Sequence, residues 1–494
     1  MLQSMQPFEK LFNDTSLDIQ HVINQNISAL RANSSQLIAL IDEQPKENII
    51  TLLVIGCIAK QLNKPEVVEL ALQKCKHFSN NYKEDNVRVT HEELNLWLTQ
   101  KVEERSTKGQ NQIKEIQIRQ ATLPVLQPKG DQSDVDAVAE VIKSGWWGKG
   151  PKVDQLEKEF ARLVGAKYAV AVTSNSHGQD LIMKALGIKN RDVVNPTISF
   201  MATAMIPLWN DCTTNVVDVD PYSMNIDPAD VRKHLTPKSD VLIAVNHSGV
   251  PAPIDDIRKF YDGFIIEDCA HSCYTPGAGL KGDAAVWSFQ AVKTMPSGDG
   301  GMITLNDEKL YNKLKEMTWF GVSSTFSRVN KNDGVTGKPG YTWDYEVDKV
   351  GYKCYMIDLT AALCLSQLKK LPAMLEWRRH IQARYNAELC EAVTRPPISN
   401  TVQHYCAKVP SEQRCDLMDY LADKKIHTSV HYKPLHTYEV IQKHLTYKGR
   451  SYNVADQEWL KLLSLPVHNA MSEDDIDYVI FWVNKYFQEK NTKL

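Results

Sequence analysis

Neither sign of charge dominates this sequence: 57 lysines and arginines face 60 aspartates and glutamates, a formal net charge of -3 over 494 residues. The broad basic footprint of a nucleic-acid binder is therefore missing, although so even a balance leaves room for a local cationic pocket that takes a small anion. Long apolar runs are missing too. The most hydrophobic early stretch, IITLLVIGCIA at 49–59, falls well short of the roughly 20 residues that cross a bilayer. The opening MLQSMQPFEKLFNDTS has neither the basic start nor the apolar core of a secretory leader. A cytoplasmic protein with no membrane partner and no nucleic-acid partner is the expectation. Cysteine is present but unpatterned: the ten residues Cys57, Cys75, Cys212, Cys269, Cys273, Cys354, Cys364, Cys390, Cys406 and Cys415 contain no C-x-x-C pair. Cys269 and Cys273 have no second pair to complete a zinc site, so reduced thiols and no metal are expected. His431 and His436 in VHYKPLH raise the question of a metal again, but no carboxylate or cysteine cluster accompanies them in sequence.

What is present falls into three parts. Residues 1–120 carry leucine and isoleucine at helical spacing and almost no glycine, which predicts a small helical N-terminal domain ending in the polar connector KVEERSTKGQNQIKEIQIRQ. From Thr122 the pattern is mixed. One helix is expected with apolar positions Val135, Val138, Val141 and Ile142 and an end at Gly145, and a second over VDQLEKEFARLVG. Short apolar runs then alternate with helices: YAVAVTS, DVVNP, TNVVDVD, VLIAVNH, FIIED, AAVWSF and GMITLND. Continuous apolar runs bounded by turns suit strands buried on both faces of a largely parallel sheet, so residues 121–370 are expected to be an α/β domain. From about Leu371 a helix through EWRRHIQARYNAEL leads into a smaller α+β region that takes the chain to residue 494.

Chemistry-bearing residues sit where such sheets gather ligands, at the carboxyl ends of strands. FIIED ends in Glu267 and Asp268. A buried carboxylate needs a cationic partner, and the protonated ring nitrogen of pyridoxal phosphate (PLP) is one; a helix cap is the plainer use of such an aspartate. In WSFQAVKTMPSGDGG, Lys293 follows a strand and precedes a glycine-rich turn. A Schiff-base lysine must be held rigidly with its amine deprotonated, while most loop lysines merely face solvent. Ser288, five residues upstream of Lys293, is able to bind an anion.

In order along the chain stand GWWGKGPKVDQLEKEFARLVGAKYAVAVTSNS, SFMATA, DVDPYSMNIDP, IIEDCAHS, GDAAVWSFQAVKTMPSGDGG, GYKCYMIDLTAALCLSQLKKL, and VHYKPLH followed by LSLPVH. With these landmarks the sequence from about Thr122 to Tyr486 resembles the DegT/StrS family of PLP-dependent sugar aminotransferases. The resemblance implies a fold type I large domain with a mixed, mostly parallel sheet, a smaller C-terminal domain, and an extra helical domain at the N-terminus. It implies that Lys293 is the Schiff-base lysine, that Asp268 holds the ring nitrogen, that His271 lies beside the ring and that Phe200 stacks on its face. Ser174, Asn175 and Ser176 occupy the phosphate turn, which reads Ser-Gly-Thr in the family, and Ser288 is the other phosphate-contacting serine. Two departures stand out. Asn175 replaces the glycine, and asparagine tolerates left-handed backbone better than most residues. In GYKCYM, where the family pattern is close to G-Y-N-Y-R-M, Lys353 stands where an asparagine reaches the neighbouring subunit's phosphate, and Tyr355 stands at the arginine.

The implied activity is transfer of an amino group, commonly from glutamate, to a keto-sugar, commonly nucleotide-linked, in surface-polysaccharide or glycan biosynthesis. The implied assembly is a homodimer with shared active sites, and the N-terminal domain is free to dock a further partner. Two alternatives belong beside this reading. A branch of the family eliminates water from sugars, but its members replace the lysine with histidine or add an iron–sulfur cluster. A non-catalytic binding protein on a decayed enzyme fold would explain the altered turn and lost arginine, yet Lys293, Asp268 and Ser288 are all retained.

Overall fold

The computed structural model describes residues 117–322, 347 and 349–491. The expected helical domain at 1–120 lies outside the described residues apart from its last few positions. Residues Ile118–Leu494 form one structural unit.

All seven apolar runs are strands: β1 Tyr168–Val172, β2 Asp192–Pro196, β3 Thr213–Val217, β4 Val241–Val245, β5 Phe264–Asp268, β6 Ala284–Ser288 and β7 Gly301–Leu305. They form one sheet in the order β1-β7-β6-β5-β4-β2-β3. Only β7 runs antiparallel, pairing β1 through Tyr168↔Leu305 and β6 through Ser288↔Gly301. The strands read as unbroken apolar runs because both faces are covered. On one face Trp287 and Met302 pack with Phe160 and Leu365; on the other, Val286 and Ile303 pack with Leu181 and Ile182. Phe160 meets Trp287 edge-on at 5.4 Å.

The first two expected helices are Gln132–Ser144 and Pro151–Val164, closed by Gly145 (φ 72) and Gly165 (φ 79) in the left-handed conformation that glycine adopts without strain. The apolar face of the first is narrower than its spacing suggests: Val141 is buried, while Val135 and Ile142 are exposed. The helix expected from about Leu371 instead begins at Asp358 and runs unbroken to Glu388, carrying Pro372 inside it. Proline is favoured in a first helical turn, so Pro372 makes the sequence look like a fresh start where the helix is already under way. A division of the chain near residue 371 therefore falls within a single helix that packs on the large sheet and continues beyond it.

Beyond this helix β8 (Tyr405–Lys408) and β9 (Leu462–Leu465) pair antiparallel, flanked by the helices Ser411–Asp423 and Glu473–Asn491. Among the described residues no helix is long and apolar enough to cross a membrane.

Candidate active site

Asp268 closes β5, the middle strand of the seven. It is 7% exposed, and burial pushes its carboxyl pKa up. Three donors and one charge oppose that push. The Asn175 Nδ2 donates to Oδ1 at 3.0 Å, the Ala270 backbone N–H donates to the same oxygen at 3.0 Å, and the Gln179 Nε2 donates to Oδ2 at 2.9 Å. Lys293 adds a favourable charge.

The helix Asn175–Leu186 delivers both amides. Asn175 and Gln179 are one turn apart on its buried face, and Ser174 caps its start by accepting from the His177 N–H at 3.1 Å. Gly301, the first residue of β7, lets this turn approach the sheet. A Cβ at 301 would lie 2.5 Å from the Ser174 carbonyl carbon and 2.6 Å from the Asn175 nitrogen.

Lys293 sits at the tip of the β6–β7 connection. Backbone bonds from Phe289 to Gly300 and from Ala291 to Gly298 carry the antiparallel pairing outward, and the Lys293 N–H donates to the Gln290 carbonyl at 2.8 Å. Gln403, fully buried just before β8, fastens the chain on either side of the lysine. Its Oε1 accepts from the Thr294 N–H and the Thr294 hydroxyl, both at 2.9 Å, and its Nε2 donates to the Val292 carbonyl at 2.9 Å. The Lys293 side chain is half-buried by surface area, yet its amine lies deep enough that desolvation lowers its pKa to about 8, with Asp268 drawing it back up.

His271 is buried and held neutral. Burial first, then the charges of Lys293, His247 and His431, push its pKa well below the usual range. Because the Ser248 backbone N–H donates to Nδ1 at 3.3 Å, the ring proton belongs on Nε2, which lies 3.1 Å from the Tyr432 hydroxyl. The Tyr432 ring lies nearly parallel to that of His271 at 6.1 Å, and Phe200 stands 6.1 Å from Tyr432. Ser288 ends β6, and its hydroxyl accepts from the Gln290 N–H at 3.4 Å.

Thus Asn175, Asp268, His271 and Lys293 come together, with Phe200 joined through Tyr432 and Ser288 at the base of the lysine loop. Ser176 lies in the first turn of the helix, and Lys353 is exposed, its backbone bridged to Trp319. Among the described residues no hydrogen bond or ion pair links either to the group. Sequence reading missed Gln179, Gln403 and Tyr432. Gln179 had a legible signal, since a glutamine one turn after Asn175 shares its helix face; Gln403 arrives from a distant segment with no local cue.

His404, Cys406 and His431 offer three ligand atoms within 4.8 Å of one another. The two imidazoles, however, are stacked at 3.9 Å with planes 24° apart, so their in-plane lone pairs run side by side instead of converging on an ion. His431 Nδ1 is also bonded to the Ser464 hydroxyl at 2.7 Å. His436 is engaged elsewhere, 2.7 Å from the Thr197 hydroxyl and 2.9 Å from Asp456.

Comparison with known proteins adds four findings. Residues 128–484 match the family model described as the DegT/DnrJ/EryC1/StrS aminotransferase family. The chain is 35% identical over 385 residues to the spore coat polysaccharide biosynthesis protein SpsC of Bacillus subtilis, an alignment covering 74% of this chain and 97% of that protein. Among solved structures it resembles the aminotransferase TlmJ of Streptoalloteichus hindustanus, at 26% identity and a TM-score of 0.68 over 75% of this chain and 100% of that one. It shares its fold with Spr1654 of Streptococcus pneumoniae in a PLP form, at 23% identity and a TM-score of 0.67 over 74% of this chain and 99% of that one.

Proposed function

Because this chain belongs to the DegT/DnrJ/EryC1/StrS aminotransferase family, we propose that it moves an amino group from an amino acid, glutamate first among them, onto a nucleotide-linked keto-sugar destined for a surface polysaccharide or related glycan. The kinship with SpsC, whose name places it in spore coat polysaccharide synthesis, supports the carbohydrate side of this reading. One observation carries the catalytic side: the desolvated Lys293 amine and the buried Asp268 carboxylate lie near enough for each charge to act on the other, and three protein donors support that carboxylate at the end of the middle strand.

The donor set fits PLP. A lysine with a depressed pKa is suited to hold an aldehyde, a carboxylate steadied by hydrogen bonds is suited to hold a ring N–H, and the serines near a helix start are suited to hold a phosphate. When bound, PLP supplies a carbonyl that takes amines and a cationic ring that withdraws electrons from the carbon undergoing proton transfer.

The protein's own residues divide the remaining work. Lys293 would hold the aldehyde end, and its Nζ, when free, would take up and return the proton at the substrate carbon. Asp268, ionised, would accept the hydrogen bond of the protonated ring nitrogen. Phe200 would cover one face of the ring and the neutral His271 would border it. Ser288, Ser176 and the backbone N–H groups of the turn holding Asn175 would hold the phosphate. Lys353, exposed on one protomer, would complete the phosphate site of its partner in a homodimer.

The test is direct: incubate the PLP-loaded protein with glutamate and a panel of nucleotide-linked keto-sugars, then follow 2-oxoglutarate and amino-sugar by mass spectrometry. Equimolar formation of both supports the proposal. Elimination of water from a sugar, or no nitrogen transfer from any amino acid supplied, would contradict it.

A further inference from the structure

Asp268 is held by more than its strand. Its carboxylate offers about four acceptor sites, and protein donors fill three: Asn175 and Ala270 both on Oδ1, and Gln179 on Oδ2. Both amide NH2 groups are fully used. Asn175 places its second hydrogen on the Val286 carbonyl at 2.9 Å, and Gln179 places its second on the Asn175 Oδ1 at 2.7 Å. This fixes the polarity of the network, because flipping either amide would aim an oxygen at the carboxylate. The arrangement has a visible cost: Gln179 is fully buried, and its Oε1 has no hydrogen-bond partner among the described residues. An orphaned buried acceptor costs on the order of 1–3 kcal/mol, so a network arranged only for packing would not choose this orientation.

Resting on the reading of this pocket as a PLP site, we infer that Asn175 and Gln179 are positioning residues that keep Asp268 ionised and leave a single open acceptor site, on Oδ2, for the proton of the cofactor's ring nitrogen. The residue that breaks the family's Ser-Gly-Thr turn thereby acts through its side chain, inward on the aspartate. The other titratable groups that act on or feel Asp268 are Lys293, Tyr432 and Cys269. Lys293 alone among them adds a positive charge; the Ala270 N–H is the strongest single support, and the Gln179 and Asn175 amides add theirs beside it. Removing their hydrogens strengthens the carboxylate's hold on a proton and draws it from the ring nitrogen onto Asp268.

The experiment loads the full-length protein with PLP labelled with nitrogen-15 in the ring and records its chemical shift, for the natural sequence and for Asn175→Gly, Gln179→Leu and the double substitution. The natural protein is expected to show a protonated ring nitrogen. The double substitution is expected to move the signal toward unprotonated pyridine and to weaken PLP binding by roughly tenfold or more, with each single substitution intermediate. A double variant that binds PLP with an unmoved nitrogen signal overturns the inference. So does an unprotonated ring nitrogen in the natural protein, a result that needs no variant to fold. If the natural protein takes up no PLP, the underlying PLP reading fails first, which keeps the two failures apart.

Discussion

Gln403 grips Thr294, the residue after the candidate catalytic lysine, with two hydrogen bonds to one oxygen, from its N–H and from its hydroxyl, both at 2.9 Å. The same amide reaches across Lys293 to the Val292 carbonyl. A flexible four-carbon side chain is useful for covalent chemistry only if its backbone is still, and here the segment before β8 supplies that stillness to a loop of the large sheet.

Replacing Gln403 with leucine keeps the volume and strands a buried N–H, hydroxyl and carbonyl. The expected loss of stability is about 1–3 kcal/mol, read by denaturant unfolding. PLP attachment at Lys293 should also slow, while Gln403→Glu, which keeps the acceptor for Thr294, should retain more of the rate.

Attachment should follow the charge state of Lys293. Only the neutral amine is nucleophilic, and desolvation places its pKa at about 8. The rate of PLP uptake should therefore rise with pH, roughly tenfold per unit below 8, and level off above it. Since Asp268 raises that pKa, Asp268→Asn should move the midpoint to lower pH. Stopped-flow absorbance across pH 6–10 reads both midpoints; a midpoint near 10 would contradict the buried-amine account.

Loss of Lys293 as proton carrier should be severe. Lys293→Ala is expected to lower turnover by at least 10²–10⁴-fold, the usual contribution of a positioned acid–base group, while PLP still binds without a covalent link. An active alanine variant would move the catalytic role elsewhere.

A cation that meets a phosphate across a subunit boundary contributes on the order of 1.5–3 kcal/mol, so Lys353→Ala should weaken PLP binding roughly tenfold to a hundredfold. Sedimentation should show a dimer. In mixed dimers pairing Lys353→Ala with Lys293→Ala subunits, restored tight binding at one site per dimer checks the sharing.

All the site residues lie in the unit Ile118–Leu494. A chain beginning at residue 115 is expected to keep full PLP affinity by fluorescence titration, and a large loss would assign the preceding residues a part in holding the cofactor.

The large sheet was legible residue by residue. Each of β1 to β7 is a five-residue strand built around a short apolar stretch and almost wholly buried, although β3 opens on the exposed Thr213 and β2 carries Asp192 and Asn195. The places of Asp268, at the end of a strand, and of Lys293, in the turn after one, were legible; it was the family resemblance that singled them out from a helix cap and a surface lysine. What escaped were the residues acting from a distance. Gln403 and Tyr432 are remote in sequence from the groups they hold, and no periodicity links them to Lys293 or His271. Asn175 was noticed as a departure but expected to matter through its backbone, and the structure turns its side chain toward Asp268. The helix expected from about Leu371 starts earlier, at Asp358, and carries Pro372 within it.

The central claim, that Lys293 carries the cofactor, is tested most directly by loading the protein with PLP, reducing with borohydride and mapping the modified peptide by mass spectrometry. A single phosphopyridoxyl group on Lys293 is the expected result. Stable labelling of a different lysine, with Lys293 recovered unmodified, would contradict it.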